Sequence, residues 1–141
     1  MVSEKECLYC GNKEKLDSLM IPICELKCTK LYLFRDQTYY GRCVIAYKDH
    51  ARELYELSSE ESSVFIEDMK TVGLAIQKAV NADKINYGMY SDTLPHLHVH
   101  IVPKVKDGYG FGGTFEMNSN PPKYLSDDEY KVIIEKIKEN L

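Results

Sequence analysis

Three histidines alternate with two apolar residues in His96-Leu97-His98-Val99-His100, and this stretch constrains the chain more than any other feature. Alternate side chains of an extended strand share a face, so the three imidazoles would stand in a row at intervals of about 6.6 Å. Leu97, Val99 and Ile101 would then point the other way, into a core. Four histidines occur in the whole chain, so the row takes all but one of them. Such a face admits three readings. It is a polar face toward solvent, or a set of ligands for one catalytic metal, since imidazoles at i and i+2 can share a zinc ion. The third reading is nucleophilic catalysis, in which one imidazole attacks and its neighbours orient it and manage the leaving group. Imidazole suits attack on phosphorus because much of it is neutral near pH 7, its ordinary pKa being about 6.5.

The pattern around the row predicts an antiparallel sheet with two helices. A strand over Thr29–Phe34 places Leu31 and Leu33 on one face and Tyr32 and Phe34 on the other, and Asp36–Gly41 turns it into a returning strand over Arg42–Tyr47. Ser58 and Glu61 form a capping box, after which Phe65, Met69, Val72, Ile76 and Ala79 recur at helical spacing until Asn81-Ala82-Asp83. A second hairpin follows, with a strand over Ile85–Tyr90, a loop over Ser91–Pro95 and a strand over His96–Val102 stopped by Pro103. A Gly- and Pro-rich stretch over 106–125 reads as either a connector or a lid. The last helix, 126–140, opens with a second capping box at Ser126 and Glu129, a staple of Leu125 on Tyr130, and a stripe of Ile133, Ile134 and Ile137. Hairpin, helix, hairpin, helix is an α+β order, because each hairpin loop is too short for a crossover. With 141 residues the expectation is one domain. It divides into an N-terminal segment (1–28), a core (29–105), the loop and the last helix.

Composition narrows the function. Hydrophobic residues make up 44% and charged residues 28%, a globular balance. No apolar run approaches the roughly 20 residues of a transmembrane helix, and Met1–Cys7 lacks the apolar stretch of a signal peptide. A cytoplasmic protein without a membrane partner is expected. The net charge of -4 argues against a nucleic-acid partner, although an acidic protein can still hold a locally positive pocket for a small anion. Five cysteines, an odd number, argue for thiols or metal over a disulfide framework.

The segment Pro95-His96-Leu97-His98-Val99-His100-Ile101-Val102-Pro103 resembles the motif of the histidine-triad (HIT) family. The similarity extends through Asn86-x-Gly88, Gly41-Arg42-Cys43-Val44-Ile45, and Lys48-Asp49-His50 to Glu60-Glu61, over roughly residues 31–105. The resemblance implies a HIT-like fold, with a five-stranded antiparallel sheet, a long helix and the C-terminal helix, paired into a homodimer. It also implies hydrolysis or transfer at the α-phosphate of a nucleotide. By motif position His98 would attack phosphorus and form a nucleotidyl-histidine, and His100 would protonate the leaving group. Many relatives carry a Gly-Gln pair before the triad; here the loop is Tyr90-Ser91-Asp92-Thr93, so Ser91 or Thr93 would replace the missing phosphate contact. Asp36 or Gln37 would bond ribose hydroxyls. A nucleotidyltransferase and a nucleotide-binding regulatory protein with little turnover are the alternative functions.

Cys7-Leu8-Tyr9-Cys10-Gly11 has the spacing of a zinc knuckle, although a redox pair uses the same spacing. The resemblance to zinc-containing bacterial HIT proteins supplies the missing ligands: Cys7, Cys10, His50 and His96 would close a tetrahedral structural zinc site with no open position. Cys24-x-x-x-Cys28 is a rival source of thiolates. Lys104 and Lys106, following the histidine strand, read as a solvated edge or as phosphate attractors.

Overall fold

The structure, a computed structural model, describes residues 6–141; residues 1–5, the start of the expected N-terminal segment, lie outside the described residues. Two short helices, α1 (Leu8–Gly11) and α2 (Lys13–Leu19), lead into strand β1 (Met20–Glu25). β2 (Thr29–Phe34) and β3 (Cys43–Tyr47) form a hairpin, and a 3-10 turn at Leu54–Glu56 precedes the long helix α3 (Ser59–Val80). β4 (Lys84–Gly88), β5 (His98–Lys104) and α4 (Asp127–Glu139) complete the chain. The five strands make one sheet in the order β1-β2-β3-β5-β4, antiparallel at every pairing. This is the α+β, HIT-like architecture that the sequence implies.

The pleat sorts the sheet into two faces. Leu31, Leu33, Cys43, Ile45, Val99 and Ile101 join Phe65, Val72 and Ile76 of α3 and Ile133 and Ile137 of α4 in the main core. On the other face Tyr32, Val44 and Ala46 pack under Leu8, Leu16 and Met20 of the N-terminal segment. His98 and His100 fall on this second face, for their register partners on β3 are Ala46 and Val44. The N-terminal segment therefore roofs the face that carries the histidines.

Both helices start where the sequence places them. Ser58 Oγ accepts from Glu61 N at 3.1 Å while Glu61 Oε1 accepts from Ser58 N at 2.9 Å, and Ser126 and Glu129 repeat the arrangement. Each satisfies two N–H groups that a helix start otherwise leaves without partners. α3 ends on Asn81 in the left-handed conformation, φ 53°, a residue type that tolerates it. Phe65, Val72 and Ile76 have no exposed surface, and each buried side chain of this size contributes about 1.5–3 kcal/mol. These three face the core, with Met69 and Ala79 of the same stripe partly buried against it; α3 turns Ile66 and Leu74 outward.

Every strand but β2 differs from expectation, β3 only by starting at Cys43, one residue after Arg42. The sequence reading expects no strand over Met20–Glu25, a segment that carries Pro22; as an edge strand β1 tolerates the missing donor, and its register with β2 shifts between Pro22 and Cys24. β4 closes at Gly88, two residues before Tyr90. β5 begins at His98 and runs through Pro103 to Lys104. Pairing with β3 ends at Ile101 while pairing with β4 continues to Lys104, so the proline falls where β5 has a neighbour on one side only. Lys104 is buried, its ammonium donating to the carbonyl of Gly113, and is not a solvated edge.

Candidate active site and metal cluster

His96, His98 and His100 are all buried, yet each ring has different partners. His98 and His100 are held by β5, with ring centroids 5.5 Å apart. His96 lies just before the strand, where Leu97 N donates to Ala51 O at 2.7 Å and draws the chain toward the segment after β3.

His96 Nε2 lies 2.8 Å from Tyr47 O, so its hydrogen sits there and Nδ1 carries a lone pair. That lone pair points into a cluster. His96 Nδ1 is 3.3 Å from Cys7 Sγ, 3.4 Å from Cys10 Sγ and 3.2 Å from His50 Nδ1, and Cys10 Sγ is 3.4 Å from His50 Nδ1. All four ligand atoms lie within 4.8 Å of one another. A tetrahedron with metal bonds of about 2.0–2.1 Å to nitrogen and 2.3 Å to sulfur has edges of roughly 3.3–3.8 Å, so the spacing fits one ion. The hydrogen bond from His96 to a backbone carbonyl is the outer support that a ligating imidazole ordinarily has. The structure thus brings together the four residues expected from sequence as one potential metal site, and Cys24 and Cys28 stand outside it.

His98 is arranged for a different task. Its Nδ1 lies 2.6 Å from the His96 carbonyl and 3.2 Å from Ser91 Oγ. The carbonyl can only accept, so the hydrogen is on Nδ1 and Nε2 keeps its lone pair. Burial pushes the His98 pKa below its ordinary value, against the opposing pull of that carbonyl, so the ring is neutral near pH 7. The Tyr9 ring lies 5.1 Å from both His96 and His98, which joins the knuckle to the histidine row.

His100 is set by Arg42, whose Nη2 lies 3.0 Å from His100 Nδ1. Arg42 has no exposed surface; its guanidinium lies 4.1 Å from the Phe34 ring and 5.4 Å from Phe115. Nη1 donates to Met117 O at 3.1 Å, which fastens the far end of the Gly-rich loop to the site. That loop is therefore more than a connector. Gly88 is required here, since a Cβ would lie 2.5 Å from the Phe115 ring beside His100. Burial, then the Arg42 charge, then His98 push the His100 pKa down to about 3. The sequence reading places Arg42 at the start of a strand and as a flank of the motif, without a role in the site; the one signal is a charge set directly against the apolar run Cys43–Ala46.

His98 and His100 open onto a cavity of about 230 Å³, lined also by Leu8, Tyr9, Phe34, Ser91 and Thr93. Ser91 and Thr93, the candidates for phosphate contact, thus line the same cavity as His98 and His100, and Ser91 holds a positive φ of 68°. The ribose candidates differ. Gln37 is almost fully buried and its amide is spent within the hairpin, donating to Phe34 O and Arg42 O and accepting from Gly41 N. Asp36 Oδ1 accepts from Thr38 N, Thr38 Oγ1 and Lys123 N. Burial alone would raise its pKa, but these bonds hold it below the usual value.

A family model described as the HIT domain matches residues 27–107. The chain belongs to the HIT family. It is 28% identical over 133 residues to adenosine 5'-monophosphoramidase of Schizosaccharomyces pombe, covering 93% of this chain and 95% of that one. Among solved structures, a HIT protein from Sinorhizobium meliloti superposes with a TM-score of 0.83 at 22% identity, covering 91% of this chain and 94% of that one. A zinc-bound HIT family protein from Mycobacterium smegmatis gives 0.71 at 17%, covering 97% and 96%. These two likenesses concern the fold. Across this HIT chain, no helix among the described residues is long and apolar enough to cross a membrane.

Proposed function

We propose that this protein hydrolyses a nucleoside monophosphate joined through its α-phosphate to a leaving group by an anhydride or phosphoramidate bond. The observation that carries the reading is the His98 ring: its Nδ1 hydrogen is fixed on the His96 carbonyl at 2.6 Å, which leaves Nε2 as a nucleophile facing a cavity. The Nε2 lone pair forms a bond to phosphorus as the bond to the leaving group breaks. Water then displaces Nε2 and releases the nucleotide. Ser91 and Thr93 contact the phosphate and the apolar wall of Leu8, Tyr9 and Phe34 takes the base; Asp36, the remaining candidate for ribose, lines the adjacent cavity that shares Phe34 and Asn118 with this one. The similarity to a phosphoramidase, a name that belongs to the Schizosaccharomyces pombe protein, supports cleavage at the α-phosphate of a nucleotide.

Cys7, Cys10, His50 and His96 hold zinc as a structural ion, which ties the N-terminal segment over the catalytic face. Zinc would supply a fixed tetrahedral tether with no open coordination position and takes no part in bond breaking. A homodimer forms on the β4 edge, where Tyr87, Met89 and Tyr90 are exposed. Light scattering at micromolar concentration should give twice the chain mass; a monomer mass would overturn the dimer.

The test of function is product analysis with a dinucleoside polyphosphate and a nucleoside phosphoramidate, with mass spectrometry of alkali-quenched protein. The expected result is nucleoside monophosphate and a nucleotidyl adduct on the His98 peptide. Tight mononucleotide binding with neither product nor adduct would overturn the hydrolase and favour a regulatory binding protein.

A further inference from the structure

We infer that Arg42 biases this site toward leaving groups that depart as oxyanions, so that nucleotidyl anhydrides are preferred over nucleoside phosphoramidates. The inference rests on the His98 chemistry proposed above and deepens it. A guanidinium has donors and no acceptor, so the contact of Arg42 Nη2 with His100 Nδ1 at 3.0 Å makes Nδ1 the acceptor. The hydrogen of the neutral His100 ring is then on Nε2. To become an imidazolium the ring must also take a proton on Nδ1, where it would oppose the Arg42 donor. It would set a second positive charge beside a buried one. Phe34 and Phe115 enclose both groups, with ring centroids 5.5 and 6.3 Å from that of His100. The charged or titratable groups acting on His100 are Arg42 and His98, and those acting on Arg42 are Asp36 and Tyr39. None of the ion pairs among the described residues involves Arg42. The arrangement makes His100 a neutral Nε2–H hydrogen-bond donor and not a cationic acid.

The two substrate classes need different things from that donor. With an anhydride, His98 Nε2 forms the new P–N bond, the P–O bond breaks, and its electron pair stays on a phosphate oxygen. That anion is stable in water and needs only a hydrogen bond. With a phosphoramidate, the pair of the breaking P–N bond stays on an amine nitrogen, which must gain a proton as the bond breaks. Neutral His100 can give that proton only by becoming an imidazolate, so the amine route lacks its acid. Nucleotide hydrolysis by the His98 route therefore runs best where the leaving group needs no proton.

The experiment compares kcat/KM for a dinucleoside tetraphosphate and for the same nucleoside's phosphoramidate of a primary amine, in the wild type and in Arg42→Gln and Arg42→Lys. The wild type should favour the anhydride by about 100-fold or more, the size of one general-acid contribution. Arg42→Gln keeps a donor and removes the charge; it should narrow the preference about 10-fold by raising the phosphoramidate rate, increasingly so toward low pH. Arg42→Lys keeps the charge and should keep the preference. Because Arg42 is buried, nitrogen NMR of the His100 ring in the wild type gives a test that needs no variant. It should show a bare Nδ1 and a protonated Nε2 from about pH 7 to about pH 5, across the ordinary histidine pKa. Equal rates on the two substrates, an unchanged preference in folded Arg42→Gln, or an imidazolium at His100 near pH 6 would each overturn the inference. Turnover of neither substrate would overturn the hydrolase reading itself, a different result from turnover of both at one rate.

Discussion

The potential metal cluster and the proposed catalytic pair are built from neighbouring histidines, and they differ in where each ring keeps its hydrogen. His96 donates from Nε2 to Tyr47 O and offers Nδ1 to the cysteines. His98 donates from Nδ1 to the His96 carbonyl and offers Nε2 to the cavity. His100 accepts at Nδ1 from Arg42. Identical side chains are thus set apart by the partner on the opposite nitrogen, which is what the proposed roles of ligand, nucleophile and donor rest on. The cluster gathers ligands from α1, the segment after β3 and the approach to β5, whereas the pair comes from a single strand. His96 belongs to both, its ring to one and its carbonyl to the other.

The comparison can be broken by removing one member at a time. The largest effect is expected for His98→Ala, which should lose several orders of magnitude in kcat while keeping nucleotide binding and metal content. Near-normal turnover would show that another group attacks. Next is Cys10→Ser, expected to lose zinc by elemental analysis and to lower Tm by about 10 °C, since a structural site contributes several kcal/mol and the N-terminal roof loosens. Full stability without metal would make the cluster incidental.

A smaller effect concerns pH. The folded His100 pKa is held down near about 3, by burial first and Arg42 second, while the unfolded ring titrates near its ordinary value of about 6.5. Between these values the unfolded chain binds the extra proton, so stability is full above about pH 6.5 and falls as pH drops through the window. In His100→Gln, denaturant titrations from about pH 7 to about pH 4 should give a curve shallower by up to about 1.4 kcal/mol per pH unit. An unaltered curve would mean that His100 is not the buried neutral group. The smallest effect is expected for Ser91→Ala. The His96 carbonyl at 2.6 Å still holds His98 Nδ1 when the 3.2 Å contact with Ser91 is lost, so kcat should fall only about threefold, one weak hydrogen bond. A loss of about 100-fold would mean that Ser91 stabilises charge developing on the phosphate in the transition state, beyond a single ordinary contact.

Much of this was legible in the sequence because local signals agreed with the final packing. The capping boxes at Ser58 and Ser126, the α3 stripe and the apolar alternation of β2 each follow a period that the fold keeps. The cluster was legible through the knuckle spacing together with the family resemblance. What was not legible depended on partners distant in sequence. His96 leaves the strand because Ala51 O captures Leu97 N, a contact no alternation pattern reports. The resemblance makes Gln37 a candidate for ribose, but the tight hairpin offers its amide three backbone partners. Arg42 enters the sequence reading only as the start of a strand and a flank of the motif, and its burial follows from Phe34, Phe115 and Met117 converging from three separate segments.

The central claim is that His98 forms a bond to phosphorus, and the stereochemical course tests it most directly. A nucleotide substrate made chiral at the α-phosphorus with sulfur and oxygen isotopes would be hydrolysed and the configuration of the product determined. Attack by His98 followed by attack of water comprises two displacements, so the account predicts overall retention. Inversion would mean that water attacks phosphorus in one step, and the nucleophilic role of His98 would be contradicted.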